Sequence, residues 1–215
     1  MKEVTMVERF PKWWLLYVGV RGLFLRFGVI TLILFTPLFT YFIFESSYEK
    51  VDGYLIMLGC WFLLIVPFTV NYIIAKRRKV QIMQVLDVIK STGYFKPSRD
   101  SEAWLFWKNT YIGFDYHQGT IVYIRIYPGK VMDVIGFDAY GIVRTEVEGS
   151  QLRIFTRYAS LPMIPIDTGG ASSIANHIYG MNNKGYHYNF NFQNVIKAKR
   201  GELEHLTGMP VPELI

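Results

Sequence analysis

A chain of 215 residues carrying a formal net charge of +6 has room for one ordinary domain plus extra segments. Its charged fraction of 19% lies below the roughly 25% of soluble domains, while aromatics reach 17% and mean hydropathy is +0.20. This balance excludes intrinsic disorder, and the single cysteine, Cys60, excludes an intramolecular disulfide or a multi-cysteine zinc site.

The N-terminal segment, residues 1–26, includes Trp13, Trp14, Tyr17, Arg21 and Arg26. Trp and Tyr favour the headgroup level and Arg can snorkel to it, so residues 10–26 read as a helix approaching a membrane along its surface. A plain extension of the following span is the other reading. Residues 27–44 then run without a charge. At ~1.5 Å per helical residue they cover roughly 27 Å, close to the hydrocarbon core of a bilayer. Residues 54–75 form a second uncharged run, long enough to cross with some tilt. Pro37 and Pro67 are tolerable inside such spans. The charged leader before residue 27 is too long for a cleaved signal peptide, and no small-x-small site follows Phe44.

Charge sets the expected orientation. The short connection carries Glu45, Glu49 and Asp52 against Lys50, whereas the outer flanks carry Lys2, Arg9, Lys12, Arg21 and Arg26, and then Lys76, Arg77, Arg78 and Lys79. Lysine and arginine favour the cytoplasmic side, which predicts a multi-pass protein of a bacterial inner membrane with both termini cytoplasmic and an acidic periplasmic loop. The unit of residues 27–79 is thus a two-helix transmembrane hairpin. Residues 1–79 hold ten basic and five acidic side chains, and the remainder thirteen and twelve. The basicity belongs to the membrane flanks, which leaves nucleic acid without support as a partner. Lys76 to Lys79 can also attract anionic membrane lipids.

Residues 80–92 read as a helix, with Ile82, Val85, Leu86 and Ile89 at three- and four-residue spacing and Gly93 as its stop. Residues 80–100 are therefore a helical stalk and linker. Between 101 and 196 the period changes to two. Residues 111–116 and 120–127 flank the turn His117-Gln118-Gly119, and Pro128-Gly129 closes the second run. Residues 131–137, 141–147, 151–158 and 163–166 follow, with Glu148-Gly149-Ser150 a tight turn and Pro162 and Pro165 marking an edge strand. Val143, Thr145 and Val147 alternate with Arg144 and Glu146, which predicts an antiparallel meander with one buried face.

A helix over 171–181 places Ile174 and Ile178 on one stripe. This order of strands and then a helix resembles the pleckstrin-homology superfold; a small helix-capped β-sandwich has the same order. The expected fold class is an α+β membrane protein, a transmembrane hairpin followed by a cytoplasmic antiparallel β domain capped by a C-terminal helix. Ile112-Gly113-Phe114-Asp115 and Ile135-Gly136-Phe137-Asp138 echo each other too briefly for a repeat. Tyr186, Tyr188, Phe190 and Phe192 alternate as in a last strand, either covering the sheet or offering an edge to a partner. Residues 197–215 read as a polar tail, partly disordered.

Chemistry is sparse. His117, His177, His187 and His205 lack metal-ligand spacing, which predicts no metal. No G-x-S-x-G elbow, Walker motif or G-x-G-x-x-G occurs, and the one S-x-x-K, Ser47 to Lys50, lies in the short loop without its partner motifs. Ser160 stands alone, and Asp115, Asp133 and Asp138 suit strand ends. The helix opening Gly169-Gly170-Ala171-Ser172-Ser173 offers free amides, for which an N-cap is the simpler use. No cofactor and no enzyme activity are expected. What remains is a binding module, with Tyr186, Tyr188, Phe190 and Phe192 and the turns at His117 and Glu148 as its candidate contact residues.

The opening Val7-Glu8-Arg9-Phe10-Pro11-Lys12-Trp13-Trp14, the two spans and the stretch from Gly136-Phe137-Asp138 to Tyr179-Gly180 resemble the entry-exclusion proteins of I-type conjugative plasmids. The resemblance implies a recipient-cell inner-membrane protein that blocks redundant transfer by recognising a cognate membrane protein of the transfer apparatus. The alternative is a membrane-anchored adaptor whose pleckstrin-like domain binds a lipid or protein.

Overall fold

The computed structural model describes residues 9–45, 51–159 and 161–213. Met1 to Glu8, Ser46 to Lys50, Ser160 and the last two residues lie outside it. They include Val7-Glu8 of the opening motif, most of the acidic loop and the Ser47 to Lys50 motif.

The chain divides into two units, one of residues 10–76 and one of residues 1–9 and 77–215. In the first, α1 (Trp14–Leu23) joins α2 (Val29–Glu45) through a π-helical turn, Phe24–Gly28, with helical backbone at both junctions. The segment read as a surface helix is thus continuous with the apolar helix. Phe10, Trp13, Trp14 and Tyr17 pack as an aromatic cluster with ring centroids 5.2 to 6.2 Å apart. The helix α3 (Val51–Ser91) runs through Pro67 as α2 runs through Pro37. Side-chain donors return to carbonyls near both prolines: Thr40 to Thr36 O at 2.7 Å and Asn71 to Pro67 O at 2.8 Å. Trp61 Nε1 on α3 also donates to Thr40 Oγ1 on α2 at 3.3 Å.

Both helical stretches, 14–45 and 52–91, are long and apolar enough to cross a membrane. Their apolar side chains point outward: Phe35, Phe42, Leu55 and Phe62 are each more than 60% exposed. A helix in the core of a soluble protein would bury them, so this exposure supports membrane association.

The second unit is built around a sheet of β1 (Glu102–Leu105), β2 (Thr110–Asp115), β3 (Thr120–Ile126) and β4 (Met132–Asp138), antiparallel and in sequence order. A second antiparallel sheet holds β5 (Ile142–Glu148), β6 (Gln151–Thr156) and β7 (Met163–Asp167). The helix α4 (Ala171–Asn182) follows, and then α5 (Phe192–Thr207). Strands β2, β3 and β4 are buried nearly throughout because both faces are covered. Tyr111, Val122, Ile124, Met132 and Val134 meet Ile82, Val85, Leu86 and Ile89 of α3 and Phe192, Ile196 and Leu203 of α5. Ile112, Phe114, Ile121, Tyr123 and Phe137 meet Leu152, Ile154 and Ile164 of the second sheet and Ile174 and Ile178 of α4.

Several expectations hold in detail. The stalk helix reaches Ser91, the His117 and Glu148 turns join β2 to β3 and β5 to β6, β7 with Pro165 is an edge strand, and α4 caps the strands. Others need correction. The single meander with one buried face is two sheets, the first covered on both sides. No strand forms at Tyr186 to Phe192: Tyr186, Tyr188 and Phe190 pack on neighbouring loops and Phe192 begins α5. The polar tail is largely α5, whose N-cap is Asn191 and whose stop is Gly208 at φ 64. Beyond it Met209 and Val211 are buried, and Met132 N on β4 donates to Pro210 O at 3.1 Å.

At Gly136 on β4 a Cβ would come within 2.8 Å of Ile196 and 2.9 Å of Phe192, so α5 lies directly on the strand backbone. Gly201 of α5 has nothing within 4 Å of such an atom. Two alanine substitutions should therefore act with opposite sign. Gly136→Ala should destabilise by about 1–3 kcal/mol through overpacking. Gly201→Ala should stabilise by roughly 0.5–1 kcal/mol through helix propensity. Thermal unfolding of the purified full chain checks both, and a neutral Gly136→Ala would contradict this close packing.

Candidate interaction surface

The β2–β3 turn is fixed from inside by one carboxylate. Asp115, 1% exposed, accepts from His117 N at 2.8 Å and Gln118 N at 3.1 Å through Oδ1, and from Lys96 N at 2.7 Å through Oδ2. Three backbone donors meet the cost of burying its charge. Gly119 closes the turn at φ 69, where a Cβ would lie 2.4 Å from Tyr188 Oη and 2.7 Å from the Tyr186 ring. Only glycine suits that site, on backbone angle and on space alike.

The segment 186–190 clasps this turn. Tyr188 Oη donates to Gly119 O at 2.7 Å and accepts from Ala139 N at 2.9 Å, joining the β2–β3 turn to the residue that follows β4. Burial pushes its phenol up to about 12, against the pull of the Ala139 amide. Tyr186 Oη donates to Tyr116 O at 2.9 Å, while the Tyr140 hydroxyl donates to Tyr186 O and accepts from Tyr186 N. Phe190 packs against Tyr94 in a tilted pair at 4.4 Å and meets Tyr188 edge-on at 5.9 Å. Tyr116 Oη reaches His177 Nδ1 on α4 at 2.5 Å.

Tyr186, Tyr188 and Phe190 are half-buried, and His187, Asn189 and Asn191 between them are exposed. The alternation read in the sequence is real, but it sorts side chains between a clasp and solvent without a strand. Phe192, 1% exposed, belongs to the core beneath α5 and presents nothing to a partner, because it seats that helix on β4. The outward surface here is made by His117, Gln118, His187 and Asn189 with the rims of Tyr94 and Tyr140.

Glu148 does not join this surface. It is exposed and pairs with Arg153 at 3.2 Å, beside Ser150, whose hydroxyl donates to Asp167 Oδ1 at 3.1 Å. Asp167 in turn pairs with Lys108, just before β2 begins. The two turns thus occupy opposite ends of β2, a strand of six residues and so roughly 20 Å long. Of the basic cluster, Lys76, Arg77 and Lys79 are exposed and Arg78 is half-buried, with Lys79 Nζ 5.2 Å from the Trp104 ring centre.

Two features escaped the sequence reading. Arg9 Nε bonds both oxygens of Asp133 at 3.1 and 3.2 Å, and Gly129 N donates to Arg9 O at 3.1 Å. Burial pushes the Asp133 carboxyl above the usual carboxylate range, against the attraction of Arg9. The charged residues stand 124 positions apart, so no local pattern announces the pair. The other is a groove of about 380 Å³ between the sheets, edged by Lys108, Arg125, Arg153 and Asp167 with Tyr123 among its lining residues. Among the described residues no group of three His, Cys, Asp or Glu side chains is placed to hold a metal. At the opening of α4, Thr168 Oγ1 accepts from Gly170 N at 3.2 Å, which closes the turn before the helix, while the N-cap position itself is Gly170 and no side chain caps the first turn.

A family model described as exclusion-determining protein matches residues 4–214. Among curated proteins and among solved structures nothing matches.

Tyr188→Phe removes both hydroxyl bonds of the clasp and should cost about 1–3 kcal/mol. Replacing Tyr186, Tyr188 and Phe190 together by Ser should open the second unit to limited proteolysis. His117→Ala, at an exposed position, should stay within about 0.5 kcal/mol of the parent. Unchanged protease resistance of the triple variant would show that the aromatics are surface ornament and not a clasp.

Proposed function

The chain belongs to the exclusion-determining protein family, and on that premise we propose that it acts in the recipient's inner membrane to block redundant entry of an I-type conjugative plasmid. The observation that carries this reading is the extent of the match, residues 4–214, which takes in both apolar helices and the whole β-rich unit. The chain acts by binding, not by catalysis. Its partner is a membrane protein of the transfer apparatus encoded by the same plasmid. We read the β-rich unit as pleckstrin-homology-like, on its order of four strands, three strands and a helix.

The topology follows from charge: basic flanks inside, the connection with Glu45, Glu49 and Asp52 outside, and both termini cytoplasmic. A donor component arriving from outside then meets the loop and the spans first. It reaches the β-rich unit only by penetrating the membrane.

A periplasm-dependent reporter should be active when inserted near Ser47 and silent when fused after Ile215. Activity at the C-terminal fusion would reverse the orientation. Cells expressing this chain alone should become poor recipients for a plasmid of the same exclusion group and stay normal recipients for unrelated plasmids, since discrimination is a difference of affinities. Equal transfer into expressing and empty recipients would rule out exclusion and favour an adaptor role.

A further inference from the structure

An edge strand offers its free backbone groups to any chain that can pair with it, and folded proteins normally blunt such edges. Three of the four edges here are blunted. The strand β1 has only four residues, β7 contains Pro165, and β4 is met on its outer side by the chain around Pro210. The remaining edge is β5, seven residues long, with β6 as its one strand partner among the described residues. It contains no proline, α4 packs against it, and its irregularity is confined to the step between Ile142 and Arg144. From Arg144 to Glu148 the strand is regular, and Val143 and Val147 are 56% and 42% exposed.

The sequence of this strand complements itself. Two copies can form one continuous sheet only if they pair antiparallel with opposed residues on the same face. Centred on Thr145, that pairing sets Arg144 of each copy opposite Glu146 of the other. Recentred on Arg144, it would set two arginines face to face; recentred on Glu146, two glutamates. Only the Thr145 register puts opposite charges together without opposing like ones. Arg144 is also held ready: it pairs with Glu146 of its own chain at 3.1 Å and lies over the Phe155 ring at 4.4 Å.

We propose that β5 is an interface for a second copy of this chain, joining two three-stranded sheets into one of six strands across a two-fold axis at Thr145. The contact is isologous, so it closes at a dimer and does not propagate. A single strand edge is a small interface, and concentration of both copies on a membrane surface favours it. The pairing is independent of which component exclusion recognises.

The test uses the full chain in native membranes with Cys60→Ser as background. Opposed Cβ atoms of an antiparallel pair lie about 4.5–5.5 Å apart, within easy reach of a disulfide after small adjustment. Thr145→Cys should therefore give a cross-linked dimer with copper phenanthroline. Glu148→Cys should not, because its two copies would stand six residues apart, roughly 20 Å. Adding Arg144→Glu to Thr145→Cys should slow cross-linking roughly tenfold, as should adding Glu146→Arg. Combining the two reversals should restore the rate, since the charges again complement. The idea fails if Thr145→Cys gives no dimer, or if Glu148→Cys cross-links equally well. It fails too if the double reversal stays as slow as the single ones. An adduct of a mass other than twice that of the chain would assign the edge to a foreign strand instead.

Discussion

A four-stranded sheet covered on both faces cannot place polar side chains freely, and the rest of the second unit follows from that restriction. Each polar group that β2, β3 and β4 do bury is given a specific partner. Thr120 Oγ1 donates to Tyr94 O at 2.8 Å, Thr110 Oγ1 donates to Lys108 O at 3.0 Å, and Asp115 receives three amides. Asp133 receives Arg9. These partners come from segments outside the sheet, so each bond that removes a burial cost also fixes a loop. The turn at His117, the chain at Tyr94 to Lys96 and the position of Arg9 are all tied down in this way.

The two units solve opposite solvation problems. In the second, apolar residues on both faces of a sheet are covered by helices and by another sheet. In the first, apolar residues cover the outside of α2 and α3, and water is not a solvent that would hold them there. Because a helix satisfies its own backbone, this surface can be apolar all round. Near the two prolines side chains return to helix carbonyls, Thr40 to Thr36 O and Asn71 to Pro67 O.

Local signals carried far in this sequence. The hairpin at Gly119, the edge character given to β7 by Pro165 and the stripe of Ile174 and Ile178 all depend on neighbours in the chain, and all were legible. What was not legible depends on distant partners. Phe192, Ile196, Leu203 and Thr207 share one stripe of α5, but Lys197, Lys199, Arg200, Glu202 and Glu204 surround them, and Gly201 suggests a break. Only the presence of β4 beneath makes that stripe a helix face. The same limit explains the candidate surface. The sequence marks Tyr186, Tyr188 and Phe190 as a group and shows two turns, but nothing in it says that β2 separates His117 from Glu148.

The π-helical turn at Phe24–Gly28 has a consequence of phase. Such a turn holds one residue more than an α-helical path would need, and each residue advances an α-helix by about 100°. The direction in which Trp13, Trp14 and Tyr17 point relative to Thr36 and Thr40 is therefore set by this single extra residue, as a dial is set by one notch. Gly28 makes the notch possible, since a Cβ there would lie 2.9 Å from the Phe24 ring. Loss of one residue within the turn would leave composition and hydropathy nearly untouched. It would swing the aromatic cluster by more than a quarter of the helix circumference.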